Sequence, residues 1–402
     1  MDVAIIGGGA AGFFAAISCK THHPDSRVVL YEKSDKLLSK VRISGGGRCN
    51  VTHACFSNSQ LVKFYPRGEK HLKKAFAHFS TTDTIKWFES KGVRLHTEED
   101  GRMFPVTNDS QTIVNCLMRE TERLGISIEL QQPILALEKG NTNFKLTFRD
   151  KIIFADKVII ASGGSPKLEG FEWLHKMGHT IEPPVPSLFT FNMPNEPVKE
   201  LMGVSAENVS VRIPGTKLKT EGPLLITHWG MSGPAILKLS AWGARILKEL
   251  NYKFTIQVNW LGEMNEEQAR AILAEEAHLH PKKKISNSNV FKLPNRLYLF
   301  LLSKIGVHPE NTMEGMGKKN QNRFLNTLVN DEYKVEGKTT FKEEFVTCGG
   351  ISLNNVTMDT MESKVCPGLY FAGEVLDIDG VTGGFNFQAA WTSGFIAGKL
   401  SQ

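Results

Sequence analysis

Met1-Asp2-Val3-Ala4-Ile5-Ile6-Gly7-Gly8-Gly9-Ala10-Ala11-Gly12 opens the chain, and its reading decides the fold. The first six residues read as a short strand buried on both faces. They run straight into a glycine turn and then into an apolar, small-residue helix from Phe13 to Cys19. Strand, turn and helix with the spacing Gly7-x-Gly9-x-x-Gly12 make a dinucleotide-binding start. Gly7 permits the tight turn, Gly9 lets the backbone approach a pyrophosphate, and Gly12 lets the helix pack close to the strand. Ala10 and Ala11 head that helix, whose N–H groups and positive dipole end suit an anion. A second strand, Arg27 to Tyr31, ends in Glu32, at the distance where an acid accepts hydrogen bonds from a ribose. An acid there argues for an adenosine ribose without a 2′-phosphate.

Length and composition bound what is built around this start. With 402 residues, 41% hydrophobic and 22% charged, the chain is long enough for two or three domains with ordinary globular cores. Its 48 basic and 42 acidic residues leave a net +6, and the one dense basic run is Lys282-Lys283-Lys284. That balance suits a solvated surface better than nucleic-acid binding. No apolar run reaches the roughly 18 residues a membrane span needs, and the first residues are already a strand, so a cytoplasmic protein is expected. The six cysteines are scattered without Cys-x-x-Cys spacing, so neither a metal centre nor disulfides are expected.

Further glycine-rich turns follow. Lys40, Arg42, Ser44, Gly45, Gly46, Arg48, Cys49 and Asn50 put glycines between cations and small polar groups, as a loop that wraps a cofactor would. Cys49, with no second cysteine nearby, reads as a packed small residue rather than a redox partner. Asp156 to Ala161 is another buried strand, ended by Ser162-Gly163-Gly164, and glycines at the carboxyl end of a parallel strand are where doubly wound sheets place ligands. Near the C-terminus the strand Gly368 to Ala372 ends in Gly373 and Glu374. Asp377, Gly383, Gly384, Asn386, Phe387 and Gln388 then lead into a helix. A glycine pair at a helix N-terminus lets backbone touch a flat ring, and the dipole end there stabilises negative charge on a reduced flavin. Glu374 or Asp377 is placed to bond a ribityl chain.

Between these ends the pattern changes. Helices are expected over Thr81 to Lys91, with Thr or Asp capping, and over Ser110 to Leu124, capped by Ser110. Short antiparallel strands are expected at Ile126 to Leu130, Ile134 to Glu138 and Phe144 to Phe148. Pro183-Pro184-Val185-Pro186 marks the exit from the first domain. His228, in Thr227-His228-Trp229-Gly230, is a candidate acid or base, although a lone histidine is more often structural. The expected organisation is a FAD-binding domain from 1–188 and 345–402, a β-barrel-like domain from 189–261 and 319–344, and a helical insert at 262–318.

The start from Val3 to Gly12, Ile43 to Thr52, Thr227 to Pro234, Thr347 to Ile351, Thr360 to Lys364 and Gly368 to Gly394 together resemble the BaiN-like (YhiN-like) family of FAD-dependent oxidoreductases. That family has aminoacetone oxidase-type and 3-dehydro-bile-acid reductase-type members. The resemblance implies an α/β fold: a Rossmann-like FAD-binding domain of glutathione-reductase type, carrying an inserted β-barrel-like domain that itself holds a small helical insert. It implies FAD as cofactor, lined by the glycine-turn residues above together with Lys33, Leu135, Ala161, Gly163 and Gly164. Ser162 departs from the expected threonine but keeps the hydroxyl. The implied activity passes a hydride through flavin N5 between NAD(P)H, bound transiently, or an amine-like donor and a small organic acceptor or oxygen. The alternative is a flavoprotein that binds or modifies tRNA, for which Lys282 to Lys284 with Lys318 and Lys319 would be the footprint.

Overall fold

The computed structural model describes residues 1–339 and 346–401. The chain forms two compact units, Met1–Ser187 with Phe341–Gln402, and Leu188–Thr340. The boundary expected at 344/345 lies outside the described residues.

In the first unit, β1 (Asp2–Ile6) leads through the glycine turn into α1 (Ala10–His22), and β2 (Arg27–Tyr31) returns parallel to β1. Lys157–Ile160 pairs parallel on the other side of β1, and Leu369–Phe371 pairs parallel with that strand. The sheet therefore joins the two ends of the chain. Ile5, Leu30, Ile159 and Phe371 are fully enclosed, with α1 and the last helix packed on the sheet and the antiparallel strand Ile152–Ala155 against β1. Ser127–Glu129 pairs parallel with β2, which corrects the expectation of an antiparallel strand at 126–130. The helix Ser110–Arg123 supplies the crossover that such a parallel connection requires. The antiparallel sheet instead comprises Ala136–Lys139, Phe144–Thr147 and Ile152–Ala155.

Two caps also differ from expectation. Asp109 caps the helix at 110, accepting from the Gln111 amide at 2.8 Å, while Ser110 donates its hydroxyl to the Arg42 carbonyl. Ser80 and Asp83 form a capping box ahead of Thr81–Ser90.

The last helix, Phe385–Lys399, lies on α1. A Cβ on Gly394 would fall 2.6 Å from the Ala11 carbonyl oxygen, and one on Gly398 would fall 2.4 Å from that of Ala15. Ser18 donates to the Phe395 carbonyl at 2.7 Å across the same seam. Only glycine lets the two backbones come this close.

The proline-rich exit is itself a strand. Ile181–Pro186 pairs antiparallel with Thr347–Ile351, with a register shift between Glu182 and Val185 where prolines cannot donate. The Ser187 amide then bonds the Val346 carbonyl, so the chain leaves and re-enters this unit at neighbouring points.

The second unit is built on an antiparallel sheet in the order 331–336, 253–259, 205–212, 219–227, 230–232, 190–192, 338–339. The first and last members are one stretch of chain interrupted at Gly337, so the sheet closes on itself as a barrel. The helices Glu266–Leu279, Asn295–Lys304 and Gly317–Val329 share a single hydrophobic core with the barrel, so the expected helical insert is packed into this unit. Buried Asp331 ties the two together. It accepts from Trp260 Nε1 at 3.0 Å, from the Tyr333 hydroxyl, and from Lys304 Nζ at 2.5 Å on the core helix. No helix among the described residues is long and apolar enough to cross a membrane.

Removing one partner of a buried, satisfied ionic group strands the others. Asp331→Ala is expected to cost about 3–5 kcal/mol of unfolding free energy, measured by urea titration with tryptophan fluorescence. A change below about 1 kcal/mol would contradict this role for the carboxylate.

Candidate functional site

Five segments that are distant in sequence meet at the N-terminus of α1. Gly7 has φ +118°, and a Cβ there would lie 2.2 Å from the Ala161 oxygen, so the turns after β1 and after Lys157–Ile160 are in backbone contact. A Cβ on Gly12 would lie 1.9 Å from the Gly7 oxygen, which is why the helix can start so near the strand. Gly373 abuts Ala11, and Gly164 abuts Thr347 and Glu374. By contrast nothing lies within 4 Å of where a Cβ on Gly9, Gly46 or Gly163 would stand. The turns thus touch one another on one side and leave open backbone on the other. α1 has neither a side-chain cap nor an acid in its first turn, so its N–H groups and dipole end are left for an external anion.

Glu32 stands beside this turn, nearly buried. One oxygen accepts the Gly8 amide at 2.8 Å, and the other accepts the amide and hydroxyl of Ser34 at 2.9 and 2.8 Å. A carboxylate offers about four acceptor positions, so one remains for a ribose hydroxyl. Lys33 next to it is exposed. Lys40 Nζ pairs with Glu374 Oε2 at 2.5 Å, and Glu374 Oε1 holds the Thr347 amide, which links α2 (Ser39–Gly47) to the C-terminal arm. α2 breaks at Ser44, and Gly45 and Gly46 adopt left-handed conformations. Asn50 lies across from Gly384; in the amide orientation that satisfies both ends, it accepts from the Gly384 amide at 3.0 Å and donates to Thr52. Gly384 heads the last helix at φ +92°, again with no acid in the first turn. Gly383 precedes it, and Phe387 stacks on Trp391.

Other expected residues are turned to internal tasks. Arg42 reaches Gln111 at 2.6 Å and the Leu37 carbonyl. Arg48 pairs with Glu98 at 2.6 Å and lies 4.0 Å over the Phe104 ring. Asp377 accepts from the Gly349 amide, and Asn386 bonds both the amide and the carbonyl of Gly380. Gln388 is fully buried and accepts from Thr52 and Thr84 while donating to Thr392. Cys49 is fully buried with φ +62°, and burial pushes its thiol up to about 12. It is therefore an unreactive packing group. Leu135 is 59% exposed and lines a cavity of about 590 Å³ with Trp173, Met177 and Val365, apart from the glycine turns.

Sequence reading missed a buried cluster beside these turns. Arg67 grips Asp379 with two nitrogens, and the Ser187 hydroxyl donates to the same carboxylate. Burial raises the Asp379 carboxyl, and the Arg67 guanidinium opposes that rise. The pair pins the loop that leads to Gly383 and Gly384. Only the Asp379-Gly380 turn hinted at it, since nothing in the sequence links position 67 to position 379.

His228 belongs to the second unit. It is exposed at the turn between the strands ending at Thr227 and beginning at Gly230, and its ring stands edge-on to Trp229 at 4.0 Å. Among the described residues no group of three or more His, Cys, Asp or Glu could hold a metal ion.

These features fit FAD. Open backbone at a bare helix N-terminus suits the pyrophosphate, and Glu32 retains an acceptor for the ribose. The second bare helix N-terminus, beside a glycine pair, suits a ring that takes up negative charge. Comparison with known proteins agrees. The HI0933-like protein Rossmann domain family matches residues 1–400. The chain is 30% identical over 401 residues to the ribosomal RNA dihydrouridine synthase of Escherichia coli (strain K12), covering 98% of this chain and 96% of that protein. It is 26% identical to the 3-dehydro-bile acid delta(4,6)-reductase of Clostridium scindens, covering 99% and 98%. Among solved structures, 3-ketosteroid delta1-dehydrogenase from Sterolibacterium denitrificans superposes with a TM-score of 0.53 at 11% identity, covering 99% of this chain and 98% of that one, which shows a shared fold. The chain belongs to the HI0933-like Rossmann family and is a flavin-dependent oxidoreductase.

Proposed function

We propose that this chain uses FAD to reduce a carbon–carbon double bond conjugated to a carbonyl, with NAD(P)H as a transient donor. One observation carries the reading. Two relatives, each matched over nearly its whole length, are named for saturating such a bond: the uracil ring becomes dihydrouracil in one, and a 3-oxo steroid loses conjugated unsaturation in the other. Hydride delivery to the carbon β to a carbonyl is common to both.

Bound FAD supplies the hydride-transferring chemistry. The residues of this chain hold and tune it. The Gly9 to Gly12 turn and the α1 dipole end receive the pyrophosphate, and Glu32 accepts from the adenosine ribose. Lys40 and Glu374, paired beside the glycine turns, would help to hold the cofactor. The helix headed by Gly384 favours negative charge at the ring edge it faces. Saturating an enone also needs a proton at the carbon α to the carbonyl. His228 is our candidate donor, because an imidazole N–H can hand a proton to carbon. No second Gly-x-Gly-x-x-Gly follows a strand in the middle of the sequence, so a nicotinamide is a visitor rather than a resident.

Anaerobic stopped-flow tests the reaction class. NADH or NADPH is expected to bleach the yellow protein, and 2-cyclohexenone or a uracil-containing RNA is expected to restore the colour. Bleaching by small amines alone, followed by reoxidation only by oxygen, would sink the reductase reading. Glu32→Ala should weaken FAD binding about 10- to 100-fold, read as a Kd from flavin fluorescence, because a charged hydrogen-bond acceptor is worth about 1.5–3 kcal/mol. His228→Gln should slow acceptor reduction by about 100-fold or more while leaving FAD content and flavin reduction unchanged. Unchanged turnover would remove His228 from the chemistry.

A further inference from the structure

The helix Pro234–Glu249 of the second unit is apolar on two sides. Ala235, Ile236, Leu239 and Leu247 are fully buried in the core it shares with the barrel. On its outer side Trp242 is 42% exposed, Ile246 40% and Leu250, just past the helix end, 42%. A spacing of four residues sets these three above one another on a single face. Single exposed apolar residues are ordinary on a protein surface. Three in successive turns make a helix that is apolar all round, and such a helix is expected to be covered. The two ends of the stripe carry opposite charges, since Lys238 lies one turn before Trp242 and Glu249 closes the helix. Glu249 is exposed and makes no ion pair among the described residues. A carboxylate in the last turn also opposes the helix dipole, so the fold of one chain does not favour it there.

We infer that this stripe is the contact face of a homodimer, in which the same helix of a second copy packs against it antiparallel. The face is self-complementary. With a two-fold axis level with Gly243 and Ala244, Lys238 stands opposite the partner's Glu249, and Trp242 stands opposite the partner's Arg245, a cation that suits an indole face. An anionic membrane would repel Glu249 between Ile246 and Leu250, whereas a second copy supplies its counter-charge. The exposed patch is small against the roughly 800 Å² per partner of a standard interface, so a reversible dimer is expected, with a Kd of about 1–100 µM. The competing apolar surface is in the first unit, where Ile152 is 54% and Phe154 58% exposed on one edge strand.

Sedimentation velocity of the FAD-loaded protein, from about 1 to 200 µM, tests this. The mean mass is expected to rise from monomer towards dimer across that range. The variant W242S/I246S should stay monomeric throughout, a loss of at least about ten-fold in self-affinity, with melting temperature and FAD content unchanged. K238E and E249K should each weaken the dimer about ten-fold, because each sets like charges opposite one another at two symmetric places. Combining them as K238E/E249K restores the opposite charges and should bring the dimer back to within about three-fold of the wild type. A wild type that is monomeric at every concentration would overturn the inference. So would a dimer untouched by W242S/I246S, a dimer lost equally in I152S/F154S, or no recovery in K238E/E249K. Capture by anionic-lipid vesicles that W242S/I246S abolishes, without self-association, would also overturn it.

Discussion

The close approach of α1 to the last helix is the constraint on which the flavin unit depends. Gly394 and Gly398 put the backbone of one helix against the carbonyls of Ala11 and Ala15 in the other. That contact brings residues from the two ends of the chain within bonding distance. Gly373 then rests on Ala11, and its amide donates to the Ser393 hydroxyl of the last helix at 2.8 Å. A side chain at either seam glycine would push the helices apart, and with them their two bare N-termini. Site assembly and helix packing are thus one physical event.

The electrostatics follow from what is left out. Both helices that head the site lack an acid in their first turn and lack a side-chain cap. Their positive ends therefore stay available to an anionic group. Arg42 and Arg48, both expected at the cofactor, bond to Gln111 and to Glu98 and Phe104, and Asp379 is held inside by Arg67. Backbone dipoles need no reorganisation when charge develops, which is an advantage over mobile cations.

The second unit solves a different problem. Its barrel closes through one strand broken at Gly337, and its helices share the barrel's core through Asp331. Lys282 and Lys318, far apart in sequence, belong to one surface because 281–286 and 309–314 pair.

How much was legible in the sequence follows from the range of each interaction. Glycine spacing, buried strands and the acid at Glu32 are local, because a turn's conformation and a strand's burial are written in a few adjacent residues. They were enough to read a dinucleotide-binding Rossmann start, with β1, β2 and the middle of α1. Asn386, Gln388, Arg42 and Arg48 carried the right chemistry for cofactor contact, yet their partners lie at Gly380, Thr52, Gln111 and Glu98. No local pattern distinguishes an amide that faces a ligand from one that ties a loop. The strand at 127–129 joined the parallel sheet, although its sequence reads the same in either direction of pairing. By itself the sequence determined which backbone turns can approach a dinucleotide. Only the tertiary structure decided which polar side chains remain to meet it, because hydrogen-bond partners are chosen by proximity in space.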